Sequence, residues 1–202
     1  MAVRRASSSQ GRPRDPTFDI RALDAARELL AEQGYAATTV QAIAERSGVH
    51  VSAIYRRWPS RVDLLEDAVF PGLAAPDVRP TGDLTRDLRR FVRAYVAAYE
   101  SPAARAAIPG LLAEYQATGR PDAEQHWLHV SARPQFADIV RAAPSGSVDP
   151  ATDLDDVFDA LQGAILARVL VPTVAARRRP VERLVELTLR MLAPAAVRPR
   201  AR

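Results

Sequence analysis

The chain of 202 residues carries 28 basic and 24 acidic side chains, a formal net charge of +4, and 48% of its residues are hydrophobic. That length and apolar content suffice to bury a core in one or two small domains. No run of apolar residues approaches the ~18 residues that a membrane-spanning helix needs. The absence of cysteine excludes disulfides and thiolate chemistry. The basic N-terminus has no apolar stretch behind it, so it does not resemble a secretory signal, and we expect a cytoplasmic protein.

The positive charge is concentrated at the start of the chain. Residues 1–62 contain 10 Arg and 6 acidic residues, net +4, whereas the other 140 contain 18 of each, net zero. This asymmetry is typical of a domain that neutralises nucleic-acid phosphates. Residues 1–16 are poor in apolar side chains, so we predict a disordered basic arm that includes Arg12 and Arg14. It is either a solvated tail or a segment that follows the minor groove.

Helical patterns follow the arm. Apolar side chains at helical spacing predict a first helix over Phe18–Gln33, closed by Gly34. Thr38 and Gln41 then have the spacing of a capping box, which predicts the start of a short helix that ends at Ser47-Gly48.

A second short helix and a longer one complete the first unit. The pattern predicts helices over Val51–Arg57 and from Arg61 to about Phe70, the latter capped by Ser60 and Asp63. Two short helices joined by a turn that contains glycine have the layout of a helix-turn-helix, whose second helix lies in the DNA major groove.

At these residues the chain resembles the TetR family of transcriptional repressors. The resemblance covers Phe18 to Val69 and rests on Thr39-Val40, Ile43-Ala44, Gly48-Val49, Ile54-Tyr55, Trp58, Ser60-Arg61 and Leu64. Trp58 stands where phenylalanine is usual in the family, Arg57 where histidine is common and Arg61 where lysine is common. These departures keep the chemical type or a hydrogen-bonding group.

The rest of the chain is also predicted to be helical, so the fold class is all-α with about nine helices. A helix-turn-helix domain over 17–70 is followed by a linker over 71–82, a helical domain over 83–194 and a flexible tail over 195–202. The predicted helices of the second domain are Asp83–Tyr99, Ser101–Ala117 with a kink or break at Pro109-Gly110, Asp122–Ala143 with a bend near Pro134, Asp149–Leu170 and Val181–Leu192.

The resemblance implies roles for particular side chains in contacting double-stranded DNA. Thr39 is expected to offer its hydroxyl to a phosphate, and Tyr55 and Arg61 are expected to contact the backbone. His50, Val51 and Ser52 lead the predicted recognition helix, with Arg56 close behind, and are the candidates for base contacts.

The same resemblance implies a homodimer and a small-molecule effector. The last two helices would pair with their copies in a second subunit, with interface residues Phe158, Leu161, Ile165, Val169, Leu184, Thr188 and Met191. Gly163 and its alanine neighbours would permit close helix approach. The alternative is that these apolar stripes bury against their own domain. The binding site of an unidentified effector would be lined by Tyr95, Tyr99, Tyr115, Trp127 and Phe136, unless these are ordinary core aromatics.

The sequence gives little support for catalysis, a cofactor or a metal. His126 and His129 are spaced as metal ligands, but no third ligand is evident. Asp153, Asp155, Asp156 and Asp159 resemble a catalytic cluster but fall in the first turns of a helix, where the dipole favours acids. No phosphate-binding loop or hydrolase elbow occurs, so we expect no enzyme.

The hypothesis is therefore a homodimeric repressor that an effector releases from a palindromic operator. Two alternatives stay open. One is a DNA-binding activator or architectural protein without an effector, and the other is a dimeric small-molecule binder whose DNA role is vestigial.

Overall fold

The computed structural model describes residues 16–70, 79–118, 132–171 and 179–194. Over these ranges the chain forms nine helices and no strand, which confirms the all-α prediction. They are α1 (Pro16–Ala37), α2 (Val40–Ser47), α3 (Val51–Arg57), α4 (Arg61–Val69), α5 (Leu84–Glu100), α6 (Pro102–Thr118), α7 (Arg133–Arg141), α8 (Leu154–Leu170) and α9 (Pro180–Leu192). Arg12, Arg14, Trp127, His126 and His129 lie outside the described residues.

The first four helices begin and end close to the predicted residues. α1 is interrupted at Gly34, whose φ of 79° is outside the helical region, and then continues to Ala37. The predicted cap of α2 is wrong by one residue. Thr39, not Thr38, is the N-cap and accepts a hydrogen bond from the Ala42 N–H, whereas Thr38 is fully buried and donates to the Gly34 carbonyl.

The second half contains three differences from the predicted helices. α6 runs unbroken through Pro109, so the proline neither splits nor ends it. α7 begins at Arg133, beside Pro134 in its first turn, where a missing N–H costs little. α8 begins at Leu154 instead of near Asp149-Pro150, because the Asp153 carboxylate caps the N–H groups of Asp155 and Asp156.

The packing joins the two halves through α6. This helix lies against α1 and α4 on one side and contacts α5 and α8 on the other. α5 is the centre of the second half and packs against α7, α8 and α9 as well. The buried side chains consequently form one continuous core from Ala22 to Leu192. None of the described helices has the length and hydropathy required to cross a membrane.

Candidate nucleic-acid interface

The turn between α2 and α3 sets the angle of the two short helices. Gly48 closes α2 in the left-handed conformation, with φ of 67°, which residues with a Cβ adopt only at a cost. Val49 follows it into the core, and His50 is the N-cap of α3, although its side chain makes no capping hydrogen bond. The imidazole of His50 is exposed and remains at the tip of the motif.

The helix α3 is held by a few contacts along one face and at its C-terminal end. Ile54 is 1% exposed and is the only buried residue of this helix. Arg57 Nε lies 3.0 Å from a carboxylate oxygen of Asp19 on α1. Trp58, at the C-cap, is buried, and its indole Nε1 donates to Asp67 on α4 at 2.7 Å. These contacts fix α3 while most of its surface stays in solvent.

Ion pairs fix α2 on α1. Arg46 donates to Glu32 at 2.9 Å and to Glu28 at 3.3 Å. The hydrogen bond from Arg46 holds the pKa of the Glu32 carboxyl below its ordinary value of 4.5. Since both short helices are anchored to α1, the motif is presented as one rigid surface.

The exposed side of the motif contains most of the predicted DNA-binding residues. His50, Ser52 and Arg56 are exposed, Tyr55 is 50% exposed, and Val51 is partly buried. Imidazole, hydroxyl, guanidinium and phenol groups supply the donors that phosphates and base edges accept.

Thr39 lies exposed at the start of α2. Its hydroxyl oxygen accepts the Ala42 N–H at 3.1 Å, so the hydroxyl proton is available for a phosphate.

Arg61 lies differently from the other predicted DNA contacts. Its guanidinium does not project from the motif but turns towards α6, where Nη2 donates to Glu114 at 3.2 Å. Nη1 donates to the Tyr35 carbonyl at 3.2 Å, and the group stacks on the Tyr35 ring at 4.3 Å from its centroid. Arg61 therefore uses donors on both terminal nitrogens inside the fold, and 27% of its side chain is exposed.

Two family profiles match the chain. "Bacterial regulatory proteins, tetR family" matches residues 22–68, and "Tetracyclin repressor-like, C-terminal domain" matches residues 75–188, more than half of the chain. The chain belongs to the TetR family. The first profile covers α1 from residue 22, all of α2 and α3 and nearly all of α4, and the second covers α5 to α8 and most of α9.

Individual relatives agree with the TetR assignment. An HTH-type transcriptional regulator of Mycobacterium tuberculosis is 29% identical over 183 residues, which are 87% of this chain and 89% of that protein. The crystal structure of the TetR family transcription regulator SCO0332 gives a TM-score of 0.63 at 29% identity and covers 88% of this chain and 99% of that one. The crystal structure of RolR in complex with resorcinol shares the fold, with a TM-score of 0.54 at 18% identity over 93% of this chain and 96% of that one. This TetR protein is therefore a helix-turn-helix transcriptional regulator.

The predicted effector residues lie in different places. Tyr95, Tyr99 and Phe136 are buried in an aromatic cluster with Phe91 and Phe158, with ring centroids 4.8 to 5.9 Å apart. The hydroxyl oxygens of Tyr95 and Tyr99 are 3.2 Å apart, and burial raises the pKa of both phenols. Tyr115 is partly buried on α6.

The predicted dimer residues require a correction. Phe158, Leu161, Ile165, Val169, Leu184 and Thr188 are buried in the chain's own core, so these side chains offer little surface to a second subunit, and Met191 is partly buried. The two apolar stripes therefore pack mainly against their own chain. The outward side of α8 carries the exposed Ala160, Gly163 and Leu170 and the partly buried Ala167, after the exposed aspartates of its first turns, and Leu187 is exposed on α9.

The aspartates at the start of α8 have structural partners. Asp153 caps the helix, and Asp155 and Asp159 both pair with Arg133 on α7. A groove of about 570 Å³ beside this end is lined by Asp149, Ala151, Thr152, Asp153, Asp156, Val157, Arg190 and Met191. Among the described residues no group of three potential metal ligands occurs.

Proposed function

We propose that this protein is a cytoplasmic, homodimeric repressor that binds a palindromic operator through the exposed faces of α2 and α3. The observation that carries the proposal is the presentation of α3, which is fixed through Ile54, Arg57 and Trp58 and leaves His50, Ser52, Tyr55 and Arg56 exposed. A helix placed in this way fits the major groove, with Thr39 at a flanking phosphate.

The proposed dimer uses the outward faces of α8 and α9. Ala160, Gly163, Ala167 and Leu170 recur at helical spacing on the side of α8 opposite to the core, and small residues there permit a second helix to approach closely. Leu187 on α9 is 44% exposed and Leu170 is 43% exposed. Burying such an apolar face against its copy would place two recognition helices for two half-sites of a palindrome.

The proposed effector site is the aromatic cluster. Tyr95 and Tyr99 supply hydroxyl groups within it, and apolar rings around a few polar groups suit a small aromatic ligand. RolR, which shares the fold, is described in complex with resorcinol. Binding would require the cluster to open, since Tyr95, Tyr99 and Phe136 are each at most 3% exposed.

The same close packing favours a second candidate, a regulator without a small-molecule effector. Footprinting of the operator separates the two candidates. Loss of the footprint on addition of a phenol that also raises the melting temperature supports an effector. If no compound in a screen of phenols and related aromatics stabilises the protein, the regulator without an effector is the better description.

The DNA-binding proposal is tested by selecting bound sequences from a random DNA pool with purified protein. We expect a palindrome whose half-sites are about one helical turn, ~34 Å, or a multiple of it apart. Tyr55→Ala and Arg56→Ala should each weaken binding to that palindrome by about tenfold or more, because each removes a strong donor to DNA.

Arg89→Ala is the matched control for these variants, because Arg89 is an exposed arginine on α5, outside the motif. It removes the same charge as Arg56→Ala and should bind nearly as wild type. Unchanged binding by both Tyr55→Ala and Arg56→Ala would contradict the proposal that α3 reads the DNA.

A further inference from the structure

Four residues connect the DNA-binding motif to α6 at one point. We define the joint as Tyr35 on α1, Arg61 on α4, and Gly110 and Glu114 on α6. Arg61 is the central member, since its guanidinium donates to the Tyr35 carbonyl and to the Glu114 carboxylate, both at 3.2 Å. The joint therefore ties three helices together through one side chain.

The Tyr35 ring packs directly against Gly110, so this contact requires a glycine at position 110. A Cβ atom on Gly110 would lie 2.2 Å from Cδ1 of Tyr35, so the ring occupies the space that any larger residue would need. The Tyr35 hydroxyl is buried without a hydrogen-bond partner in the described part of the chain. A buried hydroxyl without a hydrogen-bond partner costs free energy. The same burial raises the pKa of Tyr35.

The joint is close in the chain to the recognition helix. α3 ends at Arg57, and α4 begins at Arg61 after the Ser60 cap, whose oxygen accepts the Asp63 N–H at 3.1 Å. Trp58, between the two helices, is buried and bonded to Asp67 on α4. A rotation of α4 about the joint must carry α3 with it, because this connection is short and fixed.

We propose that Arg61 is a positioning residue. It sets the orientation of α3 relative to α6 through the joint and does not contact DNA. Gly110 and Glu114, which lie on α6 outside the motif, then control DNA affinity. The inference rests on the proposed function for its effect on DNA, whereas its structural half is independent of DNA. Nη1 and Nη2 of Arg61 each donate to a group inside the fold, and these two hydrogen bonds hold the guanidinium against α1 and α6.

DNA binding tests the first half. Arg61→Gln, Glu114→Gln and Gly110→Ala should each weaken operator binding by about tenfold, the usual size of coupling between sites. The double variant Arg61→Gln with Glu114→Gln should be no weaker than either single one, because both remove the same contact. The slope of log affinity against log salt should stay as in wild type. Loss of a phosphate contact would instead reduce the slope by about 0.9.

Asp138→Asn is the matched control. Asp138 pairs with Arg141 on α7 at 3.1 Å, and both side chains are exposed. This variant also removes a carboxylate from an arginine pair and should bind DNA as wild type. Reversing the charges, with Arg61→Glu and Glu114→Arg together, should restore part of the affinity that either single change loses, because it re-forms the ion pair between α4 and α6 but not the hydrogen bond to the Tyr35 carbonyl.

Spin labels test the second half without DNA. The chain has no cysteine, so labels at Ser52→Cys on α3 and Ala113→Cys on α6, both exposed, report the distance between these helices. Labelled chains mixed with excess unlabelled protein report distances within one chain. We expect a narrow distribution in wild type, a broader one with Arg61→Gln or Glu114→Gln, and recovery in the charge-reversed pair.

The two readouts separate the possible failures. If wild type binds no DNA, the proposed function fails, and the spin-label distances still test the joint. If the distances are unchanged in Arg61→Gln and Glu114→Gln, the joint does not position α3. If Arg61→Gln lowers the salt slope by about 0.9 while Glu114→Gln binds as wild type, Arg61 is a phosphate contact and the inference is wrong.

Discussion

Single residues at the turns decide the geometry of the motif. Gly48 has φ of 67° and no neighbouring atom within 4 Å of a Cβ placed on it, so its glycine is required by backbone conformation and not by space. Gly110 is the opposite case, because its helical backbone would accept alanine but the Tyr35 ring fills the space. The two glycines look alike in the sequence, but each position requires glycine for a different physical reason.

Gly48→Ala should lower the free energy of unfolding by about 1–2 kcal/mol, the cost of a left-handed backbone for a residue with a Cβ. Chemical denaturation measures the change. Gly48→Asn is the matched variant, since asparagine tolerates this conformation, and it should lose less. Equal losses for both would mean that the turn does not require a left-handed residue.

Between elements, the contact of α2 with α1 depends on charged groups. Arg46 lowers the pKa of Glu32 through its hydrogen bond, so the folded state holds the Glu32 proton less tightly than the unfolded state does. A carboxyl with a depressed pKa stabilises the fold above its unfolded pKa, and this contribution is lost as the pH falls through the folded pKa.

Glu32→Gln should therefore destabilise the protein near pH 7 and make its stability less dependent on pH below about 5. The melting temperatures of wild type and variant, measured between about pH 7 and 3, should converge as the pH falls. Glu45→Gln is the control, because Glu45 is exposed on α2 and accepts a hydrogen bond from the Gln41 amide. A constant difference in melting temperature between Glu32→Gln and wild type over this pH range would contradict the role of the Arg46 pair.

At the scale of the whole molecule, one core joins α6 to both halves, so the motif and the second half share one packed interior. The buried stripes of α8 and α9 close the second domain, and only the outward faces of these helices are free to meet another subunit. Gly163 is the most informative position on that face, because a Cβ placed there meets nothing within 4 Å.

Gly163→Arg should convert the proposed dimer to a monomer without unfolding it. Symmetry would bring both new charges into the interface, and burying an unpaired charge costs about 3 kcal/mol or more, an increase in dissociation constant of about 100-fold. Size-exclusion chromatography with light scattering measures the mass. Ala97→Arg, at an exposed position on α5, is the control and should leave the mass unchanged. A dimer that survives Gly163→Arg must use another surface.

Local signals determined much of this protein without any three-dimensional information. Helical spacing, the cap at Ser60 and the left-handed glycine at position 48 act over a few residues, so they can be read directly from the sequence. The helix-turn-helix followed from them, as did the exposure of Tyr55 and Arg56. The errors at Thr38 and Asp149 were small, since several polar residues in a row can each cap a helix.

Only the tertiary structure decided what an apolar or charged side chain meets at long range. An apolar stripe such as Phe158, Leu161 and Ile165 has the same spacing whether it faces its own core or a partner, and packing chose the core. Arg61 and its partner Glu114 are 53 positions apart in the chain, so no local sequence pattern indicates that they pair. Burial and pairing depend on which helices meet, and that is set by the summed packing of the whole chain.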